Sequence, residues 1–325
     1  MSAAGPLDLL QLALPVFLVI GAGLFLRRAG ILTAQADASM LGMLMKLFLP
    51  CLAFDAIMGN EALTRAGTAL VPPLAGFLLV AGGFAVAWLA ASAFLPDDGA
   101  VRRTFAVATG VPNYGYIPLP LCLALFDREA VGVLFALGLG VEVGMWTIGV
   151  GLLGGQKPSR RTLRLLFNPP LLAVVAALAL NVAGADRLVP AAIDSAWHML
   201  GVCAVPIGLL LTGAMLADHA TLGVLRTGWS TTALGLAARL GVLPAIILGA
   251  ALFLPLDTAL RQVLVVQAAM PSAVFPIILT RLHRGDMPTA LRVVVATSLA
   301  SLVTIPLWLA FGLEKLHAAL AGGGG

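Results

Sequence analysis

Apolar residues run along this chain in blocks closed by short clusters of charge or of glycine and proline, and ten such blocks can be counted. They occupy positions 9–26, 38–58, 67–94, 103–126, 129–153, 169–188, 191–217, 227–254, 260–281 and 288–312. A helix crosses a bilayer with about 20 predominantly apolar residues, and within hydrocarbon only helices or closed barrels satisfy every backbone group. The pattern predicts an all-α integral membrane protein of ten transmembrane helices, with no soluble domain between them.

Composition supports that class: of 325 residues, 60% are hydrophobic and 10% charged, whereas soluble domains are about a quarter charged. Cys51, Cys122 and Cys203 fall inside blocks and read as small core residues rather than disulfide partners. The opening MSAAGPLD carries no Lys or Arg, so the N-terminus is expected to be retained rather than cleaved as a signal peptide.

Lys and Arg concentrate on the cytoplasmic side of membrane proteins. Alternate connections hold Arg27, Arg28, Arg102, Arg103, Lys157, Arg160, Arg161, Arg164, Arg226, Arg281 and Arg284, eleven residues. The opposite connections hold five, Arg65, Arg128, Arg187, Arg261 and Lys315. Both termini are therefore expected on the extracytoplasmic side. The net charge of +4 reads as topology first, and no nucleic-acid partner is expected.

The longest connection, 154–170, separates two groups of five blocks, and an odd number inverts the second group. Arg102 precedes Pro112 by ten residues, and Arg261 precedes Pro271 by ten. After them come VPNYGYIP and MPSAVFPI, each with two prolines at mid-membrane depth. A single proline only kinks a helix, but paired interruptions in inverted halves mark the binding site of many transporters. Pro50 and Pro206 occupy matching interior positions in blocks two and seven. The expected division is a first repeat over 1–153, a cytoplasmic linker over 154–168, a second repeat over 169–312 and a tail over 313–325.

Non-helical backbone at membrane depth is tolerated where it is buried in protein or lines a cavity. Half-helices starting near Ile117 and Phe275 should aim positive dipole ends at an anion. Asn113 is the first choice for a side-chain donor to a carboxylate, the alternative being a helix-capping asparagine. Tyr114 and Tyr116 either stack on a planar substrate or pack in the core. Ser272 is the counterpart of Asn113, and Pro112, Pro271 and Val274 complete the candidate lining. Thr109 and Gln267, with Ser272, offer neutral oxygens to a coupling sodium ion.

Ionisable residues at depth are costly and mark function. Glu142 lies about 20 Å along block five and Arg239 about 18 Å along block eight at 1.5 Å per residue. They are expected to meet near the midplane as a buried ion pair, with Glu142 also a candidate for exchanging a proton or holding a cation. Lys46 should snorkel to the surface, and Asp55 reads as a hydrated carboxylate near a helix end.

Five segments in order, KLFLPCLAF (46–54), GVPNYGYIPLPL (110–121), NPPLLAVVAALALNVAG (168–184), AVPIGLLLTGAML (204–216) and MPSAVFPIILTRLHRGD (270–286), resemble the auxin efflux carrier family of permeases, which includes the plant PIN-FORMED carriers. The resemblance implies two inverted five-helix repeats, similar to the bile-acid sodium symporter fold, with helices four and nine broken and crossing. It implies a scaffold of helices one, two, six and seven, often dimeric, and a moving transport domain of the other six. It places the family's substrate-binding asparagine at Asn113. Its substrates are small organic anions, indole-3-acetate in plants and malate or malonate in some bacterial members. Short loops make this chain look bacterial, which would put it in the cell inner membrane.

The expected function is thus secondary transport of a small organic anion by alternating access, with no cofactor beyond a coupling proton or sodium ion. One alternative is a sodium-coupled symporter of the bile-acid type, which potassium in place of sodium would decide. Another is a non-transporting anion sensor acting through 157–164, which binding without flux would reveal. No nucleophile–base constellation, Walker motif or metal cluster supports an enzyme or a primary pump.

Overall fold

The computed structural model describes residues 6–154, 167–219 and 227–322. Lys157, Arg160, Arg161, Arg164 and Arg226, with most of the expected linker and the last three glycines, lie outside the described residues. What is described is helical, and its only strand-like pairing is one isolated bridge between Pro112 and Ser272.

The helices are α1 (Pro6–Arg28), α2 (Ala34–Ile57), α3 (Ala66–Phe94), α4 (Gly99–Gly110), α5 (Pro118–Leu125), α6 (Arg128–Gly154), α7 (Pro169–Val182), α8 (Ala191–Gly201), α9 (Ala204–His219), α10 (Trp229–Phe253), α11 (Thr258–Ala269), α12 (Phe275–Leu282) and α13 (Met287–Gly322). Seven segments are long and apolar enough to cross a membrane, with α8 and α9 counting as one. The fourth and ninth blocks are absent from that group because each is split, into α4 and α5 and into α11 and α12. Bulky apolar side chains cover the outside, among them Leu70, Phe94, Met199 and Phe253, which only a lipid solvent accommodates.

Two blocks end differently from the expectation. The sixth stops at Val182 rather than at 188, because Gly184 takes a left-handed φ of 68° and residues Ala185–Leu188 form one 3-10 turn. The seventh is interrupted at Val202 and Cys203. A continuous helix would need a donor from residue 206 to the Val202 carbonyl, and Pro206 has none.

Prolines also explain two wide turns. The π turn Leu44–Phe48 precedes Pro50, and the π turn Ala238–Val242 precedes Pro244. The carbonyl that Pro244 leaves without an i−4 partner is that of Leu240, and it receives the Trp308 indole N–H at 2.7 Å. A third wide turn, Met145–Gly149 in α6, follows Glu142 with no proline to cause it. Such turns often occur at functional sites.

Glycines set the closest helix crossings, as small residues do in membranes. A Cβ on Gly23 of α1 would come within 2.1 Å of the Leu210 carbonyl oxygen, and one on Gly213 of α9 within 1.9 Å of that of Ile20. The same mutual arrangement joins α3 to α6 through Gly76 and Gly140. At the basic end of the bundle Arg27 ties α1 to Asp37 of α2 and, at 3.1 Å, to Asp218 of α9. Lys46 is exposed, as snorkelling requires.

Candidate functional site

The two split segments meet backbone to backbone. α4 ends at Gly110 and α11 at Ala269, each followed by an extended residue, Val111 or Met270, and then a proline. The prolines cannot donate, so their neighbours close the crossing: Asn113 N–H donates to the Pro271 carbonyl at 2.8 Å, and Ala273 N–H to that of Val111 at 3.0 Å. Each break thereby satisfies part of the other. Ser272 N–H donates to Thr297 Oγ1 at 3.3 Å, which ties the crossing to α13.

Beyond the crossing each chain turns into a short half-helix, and the two mouths differ. At α5, Pro118 and Pro120 have no N–H, Leu119 N–H is taken by the Gly115 carbonyl at 3.0 Å, and Ile117 N–H points to Asn113 Oδ1 at 3.5 Å. The first turn of α5 therefore offers an anion almost nothing, contrary to the expectation from the dipole alone. The free donors lie one step earlier, on Tyr114, Gly115 and Tyr116, whose N–H groups have no acceptor among the described residues. At α12 they are the N–H groups of Val274 and Phe275. All five residues are partly exposed.

Asn113 combines its two expected roles. Its Oδ1 caps Ile117 at the limit of hydrogen-bond length, while its Nδ2 has no acceptor among the described residues. Tyr116 lays its ring against Gly208 of α9, where a Cβ would come within 2.3 Å. Tyr114 donates its hydroxyl to Glu142 Oε1 at 2.6 Å.

The expected ion pair between Glu142 and Arg239 does not form: among the described residues, no carboxylate lies within 4.0 Å of Arg239. Glu142 is met by neutral donors instead, Tyr114 and, at 2.8 Å, the Trp146 indole. Asn168, the N-cap of α7, also bonds to it. Arg239, fully buried, sends Nε–H to the Met270 carbonyl at 2.9 Å. Equal depth along two helices does not fix the faces they present, and the two charges reach the breaks through different partners. Trp146 and Asn168 escaped the sequence reading, although Trp146 is four residues from Glu142 and so shares its helix face. The Trp146 ring meets Phe275 edge-on at 5.5 Å, so Glu142 touches one mouth through Tyr114 and the other through Trp146.

Among the described residues, Thr109 Oγ1, Ser272 Oγ and both polar atoms of Gln267 are buried without a partner, as is Arg239 Nη2. Thr109, Gln267 and Ser272 flank or form the crossing, and Arg239 reaches it from α10 through Met270.

Far from the crossing, at the end opposite Arg27, Asp55 is buried rather than hydrated. It meets Arg128 Nη2 at 3.1 Å and His198 Nδ1 at 3.4 Å, while Arg128 also reaches Asp194 at 3.7 Å. Asn60 Nδ2 donates to the Glu129 carbonyl at 3.0 Å, and Asn181 brackets residues 59 and 60 from α7. Removing Arg128 leaves a buried carboxylate short of its main partner. Arg128→Gln should cost about 1–3 kcal/mol, less than a fully buried pair because the arginine is half exposed. The Asp55→Asn/Arg128→Gln double variant should recover part of the loss in thermal unfolding of the purified protein. Equal melting of both variants and the parent would contradict this account.

The family model described as membrane transport protein matches residues 9–309. An uncharacterized transporter of Methanothermobacter thermautotrophicus is 24% identical over 301 residues, which cover 92% of this chain and 96% of that protein.

Proposed function

This chain belongs to the auxin efflux carrier family of membrane transport proteins, and from that premise we propose that it carries a small organic anion across the cell inner membrane by alternating access. The observation that carries the anion is the pair of mouths: the two segments that meet at the crossing carry five N–H groups without an acceptor among the described residues, together with the Asn113 amide. Neutral donors held in a fixed array suit a carboxylate and cost no reorganisation when it arrives.

In this reading the ten blocks are two inverted five-helix repeats. The reciprocal packing of α4 on α13 and of α11 on α6 supports that symmetry. The first, second, sixth and seventh spans act as a scaffold, homodimeric in the membrane, and the remaining helices move against it. Tyr116 on Gly208 is then a contact between moving and fixed parts. Both termini face the extracytoplasmic side, and Glu142 couples transport to a proton.

Counterflow in proteoliposomes tests the reading, with malonate, malate and indole-3-acetate as labelled solutes. Asn113→Ala removes one hydrogen bond to a charged group, worth about 1.5–3 kcal/mol, so affinity should fall roughly tenfold or more. An Asn113→Ala protein with the parent's affinity and rate would sink the assignment of this site.

A further inference from the structure

In the long helices α3, α6, α10 and α13, only Glu142 and Arg239 place a carboxylate, ammonium, guanidinium or imidazole at mid-length. Glu142 is accounted for by Tyr114 and Trp146. Arg239 is not: it is fully buried, remains charged as arginines in proteins do, and has no acid beside it. Its Nε–H is committed to the Met270 carbonyl, and its Nη2 has no partner among the described residues. A charge buried in this way is expensive unless something else compensates it.

Its position says what does. Met270 precedes Pro271, and the Pro271 carbonyl holds the Asn113 N–H at 2.8 Å. The guanidinium therefore stands behind the crossing, and a short chain of backbone bonds links it to the amide at the mouth. The wide turn before Pro244 carries Arg239 within it, so the device is built into the helix. The side chain is fully buried and engages the crossing at the Met270 carbonyl, so it is out of reach of a solute that enters from water. In a low-dielectric interior a unit charge still acts across that distance.

We propose that Arg239 is the buried counter-charge of the carried solute: a positioning residue that acts through the Met270 carbonyl and its own field, and makes the site take a carboxylate in preference to a neutral molecule of the same shape. This deepens the transport reading and rests on it.

The test compares each acid with its own amide, malonate with malonamide and indole-3-acetate with indole-3-acetamide, as competitors for counterflow in the full-length parent, R239K and R239Q. The parent should favour the acid by about tenfold or more. R239Q, which keeps a donor for Met270 but no charge, should lose about tenfold of that preference, and R239K should keep it within about threefold. A purely structural arginine would lower both solutes alike and leave their ratio unchanged. Either an unchanged ratio in R239Q or an R239K that behaves like R239Q overturns the inference. Should R239Q fail to fold, parity of acid and amide in the parent overturns it just as well. A parent that moves no carboxylate refutes the transport reading itself, a different result from a parent that moves carboxylates with Arg239 irrelevant.

Discussion

Gly140→Ala should unfold this protein more readily than any other single methyl group added to it. A Cβ there would lie 1.7 Å from the Pro73 carbonyl oxygen and 2.7 Å from the Phe77 nitrogen. Both are backbone atoms of α3, so no side chain can swing aside, and the helices must part along their whole contact. Overpacking typically costs about 1–3 kcal/mol and more where relaxation is blocked, which sets the expected loss at or above the upper end. Gly76 approaches α6 from the other side, with a Cβ 2.0 Å from the Leu137 carbonyl oxygen. Once one alanine has separated the pair, the second meets less resistance, so the double variant should lose less than the sum of the singles. Gly249→Ala is the control: nothing lies within 4 Å of its Cβ, and a helical alanine gains up to about 1 kcal/mol over glycine. Thermal unfolding of the purified protein measures all four. A Gly140→Ala protein that melts with the control would mean that α3 and α6 do not cross this closely.

The crossings that depend on glycine were not legible in the sequence, because 36 glycines punctuate it and nothing in their spacing separates those pressed against a neighbouring backbone, such as Gly140 and Gly213, from those that meet nothing, such as Gly82 and Gly249. The breaks were legible. Proline removes a donor wherever it stands, so VPNYGYIP and MPSAVFPI announce interruptions without reference to the rest of the fold. What prolines do to the following turn was harder to read. Pro118 and Pro120 take from α5 the donors that a helix start ordinarily offers, and the free N–H groups appear upstream, at 114–116. Lengths were read well and faces badly. Counting residues put Glu142 and Arg239 at one depth, but depth leaves the face of each helix open, and Glu142 turns to Tyr114 and Trp146 while Arg239 turns to the Met270 carbonyl. Asp55 failed for a related reason. Its partners Arg128 and His198 lie 73 and 143 positions away, and a lone acid at a helix end gives no sign of which helices will close over it.

Glu142→Gln should abolish the pH dependence of anion binding while leaving the protein folded. Both carboxyl oxygens accept bonds from neutral groups, Tyr114 at 2.6 Å and Trp146 at 2.8 Å, and among the described residues no Lys, Arg or His lies within 4.0 Å. Of the helices packed on α6, α3, α5 and α7 carry no Asp, Glu, Lys, Arg or His, and α11 carries only Arg261 near its far end; α2 carries the exposed Lys46, Asp37 held by Arg27, and Asp55 held by Arg128 and His198. Tyr116 and Asn168 are the remaining polar neighbours. An anion seated at the mouths thus meets a like charge whenever Glu142 is ionised. At ~6 Å and an effective dielectric of about 20, that repulsion is about 3 kcal/mol, or roughly a hundredfold in affinity. A proton on Glu142 removes it, and by reciprocity a bound anion draws that proton on by the same factor. The parent should accordingly bind carboxylates more tightly as pH falls, and a downhill proton gradient should drive their uptake. Glu142→Gln is neutral at every pH, so it should bind at alkaline pH as tightly as the parent does in acid, and a proton gradient should no longer accumulate substrate. Tyr114→Phe separates the carboxyl from its bond, since it removes the donor and keeps the charge, and the pH dependence should persist in that variant. A Glu142→Gln protein whose affinity still rises as pH falls would transfer the proton to another group and end the role assigned to this one.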